Sequence, residues 1–224
     1  RGELIDGRYE LIASIGEGGT ASVWEARSVE TGETVAIKVL RPSVRDDGLA
    51  KIRLRREALA ARELSRSPHI VDVVEVFELP CGDPCVVMER LTGEDLRKVL
   101  LHEGRRAPAR AAAIVMQLCD ALAEAHGQGI IHNDIKPENI IIGQGEDGRE
   151  TVTLLDFGIA NFRSSPDSLP ADLDDGGSRP CTVHYAAPEQ LTEGCSVDHR
   201  SDIYSVGVIL YELLAGRRPF RNKA

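Results

Sequence analysis

His132-Asn133-Asp134-Ile135-Lys136-Pro137-Glu138-Asn139 sets a dense run of polar and charged side chains between two apolar stretches. An acid at 134, an amine two residues on and an amide three further make a compact set able to hold a hydroxyl, an anion and a metal. Considered alone, the stretch is better read as a polar turn joining two strands. The rest of the chain decides between these readings.

Composition narrows the field first. The 224 residues are 42% hydrophobic, enough for one large domain or two lobes with a sizeable core. Charged residues make up 28% and the formal net charge is −9, so a broad positive field for nucleic acid or anionic lipid is not expected. No apolar run approaches the ~20 residues needed to span a bilayer, and the N-terminus lacks a secretory pattern. A soluble, cytoplasmic segment is expected. Among the five cysteines only Cys81 and Cys85 are close, in a spacing unlike zinc knuckles, so reduced thiols and a strand-connecting turn are expected there. The start at Arg1 and the end at Ala224, just past a helix and a turn, suggest a piece of something longer.

Upstream of the opening stretch, Tyr9 to Ile15 partly alternates, Gly16-Glu17-Gly18-Gly19-Thr20-Ala21-Ser22-Val23 interrupts, and a strand resumes from Val23. Glycines at 16 and 18 would let backbone amides approach a phosphate closely. A flexible hairpin turn explains the same residues. A dinucleotide-binding turn fits worse, because a strand follows. Thr34 to Leu40 is a dense β-branched run with Lys38 inside it, a cation that needs an acidic partner. Val44 to Arg66 reads as a helix with an apolar side at Leu49, Ile52, Leu59 and Leu64, and Glu57 on it is the candidate partner. The alternative is a snorkelling Lys38 and a solvated Glu57. Strands at Ile70–Leu79 and Pro84–Met88 complete a small antiparallel sheet with one helix.

From Thr92 the pattern becomes mainly helical. Thr92-Gly93-Glu94-Asp95 reads as a helix start capped at Thr92, with the helix running to about His102. Pro108 suits a first helical turn, and Ile114, Leu118, Ala121, Leu122 and Ala125 follow at helical spacing. After Asn139, Ile140–Ile142 and Thr151–Leu155 read as paired strands around Asp147-Gly148, and the second leads into Asp156-Phe157-Gly158. That hairpin can bring Asp156 back to Asn139, two oxygen ligands of a kind that suits Mg²⁺. Residues 163–180 lack periodicity and are expected to form a mobile loop. Asp202 to Ala215 reads as an almost wholly apolar, buried helix stopped by Gly216, with Asp202 needing a buried donor.

Taken together, the chain resembles eukaryotic-type protein Ser/Thr kinases, most of all the bacterial members. The residues that carry the likeness, over nearly the whole chain, are Gly16-x-Gly18-x-x-Ala21-x-Val23, Val35-Ala36-Ile37-Lys38, Glu57, His132-Asn133-Asp134-x-Lys136-x-x-Asn139, Asp156-Phe157-Gly158, Ala187-Pro188-Glu189 and Asp202. The resemblance implies an α+β, two-lobed fold, with an ATP-binding lobe and hinge over 1–91 and an incomplete catalytic lobe over 92–224. It implies that Lys38 grips the α- and β-phosphates of ATP, aligned by Glu57, under a lid formed by Ile15, Gly16, Glu17, Gly18 and Gly19. Adenine would lie between Val23 and Ala36 on one side and Ile141 on the other, with backbone groups of Glu89 and Leu91 at its edge and Met88 guarding the back pocket. Asp134 would receive the substrate hydroxyl and Lys136 would steady the γ-phosphate. Asn139 and Asp156 would hold Mg²⁺, or Mn²⁺ in its stead, and Asp202 would bind the backbone of the catalytic loop. Lys136 and the run from Thr182 to Glu189 point to serine or threonine acceptors on protein substrates, with autophosphorylation included.

The chain departs from the family pattern at three places. Ala21 replaces the third lid glycine. Asn133 replaces the arginine that usually precedes the catalytic acid, and Asp174 and Asp175 lie where bacterial relatives often carry activating threonines, so activation is expected to depend less on loop phosphorylation. The helices that in the family cover Asp202–Ala215 are missing, so another domain or chain is expected to cover it. A nucleotide-binding pseudokinase or docking module, and a small-molecule phosphotransferase, are the alternatives. The retained Lys38, Glu57, Asp134, Asn139 and Asp156 weigh against the first, and Ala187-Pro188-Glu189 weighs against the second.

Overall fold

Thr34–Leu40 forms strand β4, and its β-branched composition suits a strand covered on both sides. In the computed structural model, which describes residues 2–64, 67–145, 147–157, 184–192 and 194–220, β4 lies inside a six-stranded sheet. Its partners are β1 (Leu4–Ile5), β2 (Tyr9–Glu17), β3 (Ala21–Ser28), β5 (Val73–Glu78) and β6 (Pro84–Glu89), in the order β1-β2-β3-β4-β6-β5 with every pair antiparallel. One face packs Tyr9, Leu11, Ala26, Val35, Ile37, Cys85 and Val87 into a single cluster. Strand alternation puts Ala36, Lys38 and Leu40 on the opposite face. The sheet and helix α1 (Gly48–Glu63) belong to one compact unit, residues 1–66 and 70–92.

Two expectations for this unit are corrected. The glycine-rich segment interrupts the hairpin for only three residues, since β2 runs to Glu17 and β3 begins at Ala21, with Gly16 opposite Val23 and Glu17 opposite Ser22. Helix α1 starts at Gly48 instead of Val44, because Asp47 Oδ1 accepts from the backbone N–H of Leu49 (2.9 Å) and Ala50 (3.2 Å) and caps it there. Its buried side is Ala50, Leu54, Ala58, Ala60 and Ala61, whereas Leu59 is 44% exposed. Alanines let a helix lie close against β5 and β6, and a hydrophobicity pattern weighted to leucines misses that face.

The second unit, residues 67–69 and 93–224, is built on helix α3 (Pro108–Gly127), which buries Ala111, Ile114, Leu118, Ala121, Leu122 and Ala125 at helical spacing. It packs on helix α4 (His199–Ala215) and on the three-stranded antiparallel sheet β7 (Glu94–Asp95), β8 (Ile140–Gln144), β9 (Glu150–Leu154). Helix α2 (Leu96–Glu103) is capped by Asp95, whose Oδ1 accepts from Lys98 N at 2.9 Å, and not by Thr92. Glu94 and Asp95 instead pair with Ile142 and Ile141, which draws the helix start three residues on. Gly93 precedes them at φ 138°, where an added Cβ would lie 2.2 Å from Ile142 O.

Helix α4 begins at His199, not Asp202, because Asp198 caps it through Arg200 N at 2.9 Å. Nor is it buried all round among the described residues: Ile203 is 50% exposed and Leu214 41%. Its buried face mixes Val206, Ile209 and Leu213 with Ser201, Asp202, Ser205 and Glu212. Gly216 at φ 66° ends it in the left-handed conformation glycine tolerates. No described helix is long and apolar enough to cross a membrane. Gly158, the loop over 163–180, Asp174, Asp175 and Thr182 lie outside the described residues.

Candidate active site

Within the first unit, Lys38 is only 8% exposed and its Nζ bonds Glu57 Oε1, so the cation buried in β4 is met by an acid from α1. Register puts Val23 opposite Lys38, and Ala36 opposite Met88. The tip of the β2–β3 hairpin closes through Gly18 N to Ala21 O (2.9 Å), and Arg41 Nη1 donates to Gly18 O at 3.1 Å. Among the described residues nothing demands glycine here. Gly16, Gly18 and Gly19 avoid the left-handed region, and an added Cβ would meet ordinary contacts or open space. Exposed Ile15 and Glu17 flank Gly16. Glu89 is tied down by its own side chain, whose Oε1 accepts from Asp72 N at 2.8 Å, and Arg90 spans Glu25 (Nε to Oε2, 2.9 Å) and the carbonyl of Leu91.

The second unit holds the other predicted residues. His132 is fully buried: its Nε2 lies 2.9 Å from Leu155 O, an atom that can only accept, so Nε2 carries the proton. Nδ1 is then an acceptor, and Asp134 N donates to it at 3.2 Å. Asn133 turns the chain at φ 67°, a left-handed conformation that asparagine adopts more readily than most residues. Beyond this turn, Lys136 Nζ bonds Asp134 Oδ2, while Asn139 Nδ2 donates to Asp134 O at 2.9 Å. With its nitrogen so engaged, the Asn139 amide presents its oxygen elsewhere. Leu155 N donates to Asn139 O at 2.8 Å, which ties the residue before Asp156 to the loop. Ile141 is half-buried on β8 opposite Thr153.

Asp202, 1% exposed, anchors this loop from α4. Oδ1 accepts from Asn133 N at 2.9 Å, and Oδ2 accepts from His132 N at 2.9 Å with His126 Nε2 at 2.8 Å. Two consecutive amides of a sharp turn are thus held by one carboxylate. A shallow recess too small to enclose a ligand adjoins the loop, lined by Asn133, Asp134, Ile135, Tyr185, Ala186, Gln190 and Ser205.

Several participants escaped the sequence reading. His126 shares Asp202 with the loop, and only its place at the end of α3, six residues before His132, hinted at a role. Arg97 donates to Glu138 (2.9 Å), to Glu212 (2.9 Å) and to Tyr185 Oη, and Tyr185 Oη donates to Glu212 Oε2 at 2.5 Å. Burial opposes the charge of Arg97, but its hydrogen bonds to Glu138, Glu212 and Tyr185 hold it above its ordinary pKa. Burial, reinforced by Glu212, pushes the Tyr185 phenol up. No local sequence signal links four residues so far apart. Ser201 Oγ donates to Glu189 Oε1 at 2.6 Å and Ser205 Oγ to Tyr185 O at 2.8 Å, which fastens the segment before α4 to that helix.

The protein kinase domain family model matches residues 9–224. The chain is 40% identical over 221 residues to serine/threonine-protein kinase pkn3 of Myxococcus xanthus, covering 99% of this chain and 40% of that protein. It is 39% identical over 223 residues to the probable serine/threonine-protein kinase PknB of Corynebacterium glutamicum, covering 99% of this chain and 33% of that protein. Against serine/threonine-protein kinase PknD of Mycobacterium tuberculosis the identity is 38% over 215 residues, covering 96% of this chain and 31% of the relative. The chain therefore spans less than half the length of these relatives.

Proposed function

The chain belongs to the protein kinase domain family, and on that premise we propose that it transfers the γ-phosphoryl group of ATP to serine or threonine hydroxyls of proteins, its own chain included. The observation that carries the reading is the loop in which Lys136 and Asn139 both bond Asp134 and whose backbone is gripped by Asp202. Phosphoryl transfer asks a protein for positioning and fixed counter-charge more than for covalent chemistry, and a carboxylate, an ammonium and an amide on one rigid turn supply both.

In this reading Asp134 accepts the hydrogen bond of the incoming hydroxyl, orients it and takes its proton as the oxygen attacks phosphorus. Lys136, beside Asp134, neutralises charge on the transferring group. Lys38, kept in place by Glu57, holds the phosphates of the nucleotide. The lid glycines, which the fold itself does not require, leave room for backbone amides to approach those phosphates. Asn139, whose amide nitrogen is occupied by Asp134 O, and Asp156 would hold Mg²⁺ or Mn²⁺. The metal would neutralise phosphate charge. The likeness to named serine/threonine kinases over at least 96% of the chain supports the choice of acceptor. A further domain or a partner chain would cover Ile203, Tyr211 and Leu214 on α4.

The test is transfer of radiolabel from γ-labelled ATP to the chain itself and to a generic basic protein, followed by phosphoamino-acid analysis. Label on serine or threonine that disappears when the divalent metal is chelated is the expected result. Label on tyrosine, or none while nucleotide still binds, would overturn the reading.

A further inference from the structure

Gln190 occupies a position that the resemblance does not assign. Its side-chain amide is used at both ends. Oε1 accepts from Ala187 N at 2.9 Å, closing the 3₁₀ turn Pro188–Gln190, and Nε2 donates to Asn133 O at 2.8 Å, 57 residues away in sequence. The peptide units around Asn133 are therefore gripped on both sides: Asp202 Oδ1 takes the N–H and Gln190 takes the C=O. That residue is the left-handed turn of the loop, φ 67°, directly before Asp134. A non-glycine residue in this region persists only where the surroundings over-determine it, and here two side chains from different elements do so.

We propose that Gln190 is a positioning residue: it fixes the Asn133 turn, and through it the aim of Asp134, by coupling the Ala187-Pro188-Glu189 segment to the catalytic loop with uncharged hydrogen bonds. The geometry gives the coupling a physical logic. Ser201 and Ser205 fasten Glu189 and Tyr185 to α4, and Asp202 on the same helix fastens the loop, so Gln190 closes a ring of contacts between the two segments. Each bond in the ring is made by a neutral donor or a backbone amide, so the coupling needs no added charge. A small displacement of Asp134 is enough to matter, since roughly 1 Å of misplacement costs a reaction about a hundredfold.

The kinetic half of the test rests on the phosphotransfer reading above, and the exchange half does not. Two variants of the chain, Gln190→Met and Gln190→Glu, are compared with wild type. Both remove the donor to Asn133 O, and the second keeps an acceptor for Ala187 N. Amide hydrogen exchange over 131–136 should accelerate about tenfold in both, while α3 and α4 keep their protection, because freeing the half-buried Asn133 carbonyl loosens the turn locally. In the phosphotransfer assay kcat should fall about tenfold in both variants with KM for ATP within about twofold, the signature of lost alignment and not of lost binding. Unchanged exchange over 131–136 in both variants would overturn the proposal, as would a Gln190→Glu variant that matches wild type in kcat. A wild-type chain without transferase activity would count against the proposed function alone, and exchange would still decide the role of Gln190.

Discussion

Replacing Asp202 by asparagine keeps the shape of the side chain and removes one acceptor. Three donors converge on the carboxylate: Asn133 N on Oδ1, and His132 N with His126 Nε2 on Oδ2. An amide in the same place has one oxygen. In its better orientation that oxygen keeps His132 and His126, while the new NH₂ group faces Asn133 N–H, donor against donor. The loss is one charge-assisted bond, about 1.5–3 kcal/mol, plus the half-buried Asn133 N–H left without a partner, at the low end of about 1–3 kcal/mol. Partial relaxation of the turn brings the expected total to about 3 kcal/mol. Domains of this kind have about 5–15 kcal/mol in hand, so Asp202→Asn should fold and the comparison can be made on folded protein. Denaturant unfolding followed by far-ultraviolet circular dichroism gives the stability difference, and exchange at Asn133 locates it. A loss under about 0.5 kcal/mol, the scale of ordinary surface substitutions, would refute the claim that Asp202 holds the loop.

Three other outcomes follow from the same structure. Gly93→Ala should cost about 3 kcal/mol or more in thermal unfolding, since it combines a Cβ 2.2 Å from Ile142 O with φ 138°; a shift in Tm of less than a degree or so would contradict the packing at β7. Lys38→Met should lower kcat/KM at least about a hundredfold, and Glu57→Gln should lower it less, because Lys38 survives but loses its aligning acid; equal effects would deny Glu57 a merely supporting part. Arg200, through its side chain first and its backbone N–H second, lowers the Asp198 carboxyl to about 2. The stability Asp198 lends to α4 is present above its unfolded value of about 3.8 and is lost as pH falls through about 2. Asp198→Ala should therefore narrow the gap to wild type as acid is added, and a gap that widens below pH 4 would show the sign to be wrong.

Much of the fold was legible because its signals are local. Thr34–Leu40, the helical spacing of Ile114, Leu118 and Leu122, and the turn at Asp147-Gly148 each declare their state within a few residues. Elements set by distant partners were not legible. Glu94 and Asp95 become a strand only because Ile141 and Ile142 lie beside them, and α1 turns its alanines inward because a sheet waits there. The site divides in the same way. Asp134, Lys136 and Asn139 stand close in sequence and could be read as a set. By contrast, Gln190, His126 and Arg97 act across tens of residues on a backbone carbonyl or on distant carboxylates, and side-chain identity alone gave no sign of it.

In the proposed phosphotransfer from ATP, the role given to Asp134 is to receive the acceptor hydroxyl. Its most direct test is single-turnover transfer of γ-labelled phosphate by wild type and by Asp134→Asn, with nucleotide affinity measured on the same samples. Asp134→Asn should bind ATP as wild type does and label its acceptor at least about a hundredfold more slowly. Equal labelling rates from the two proteins would contradict it.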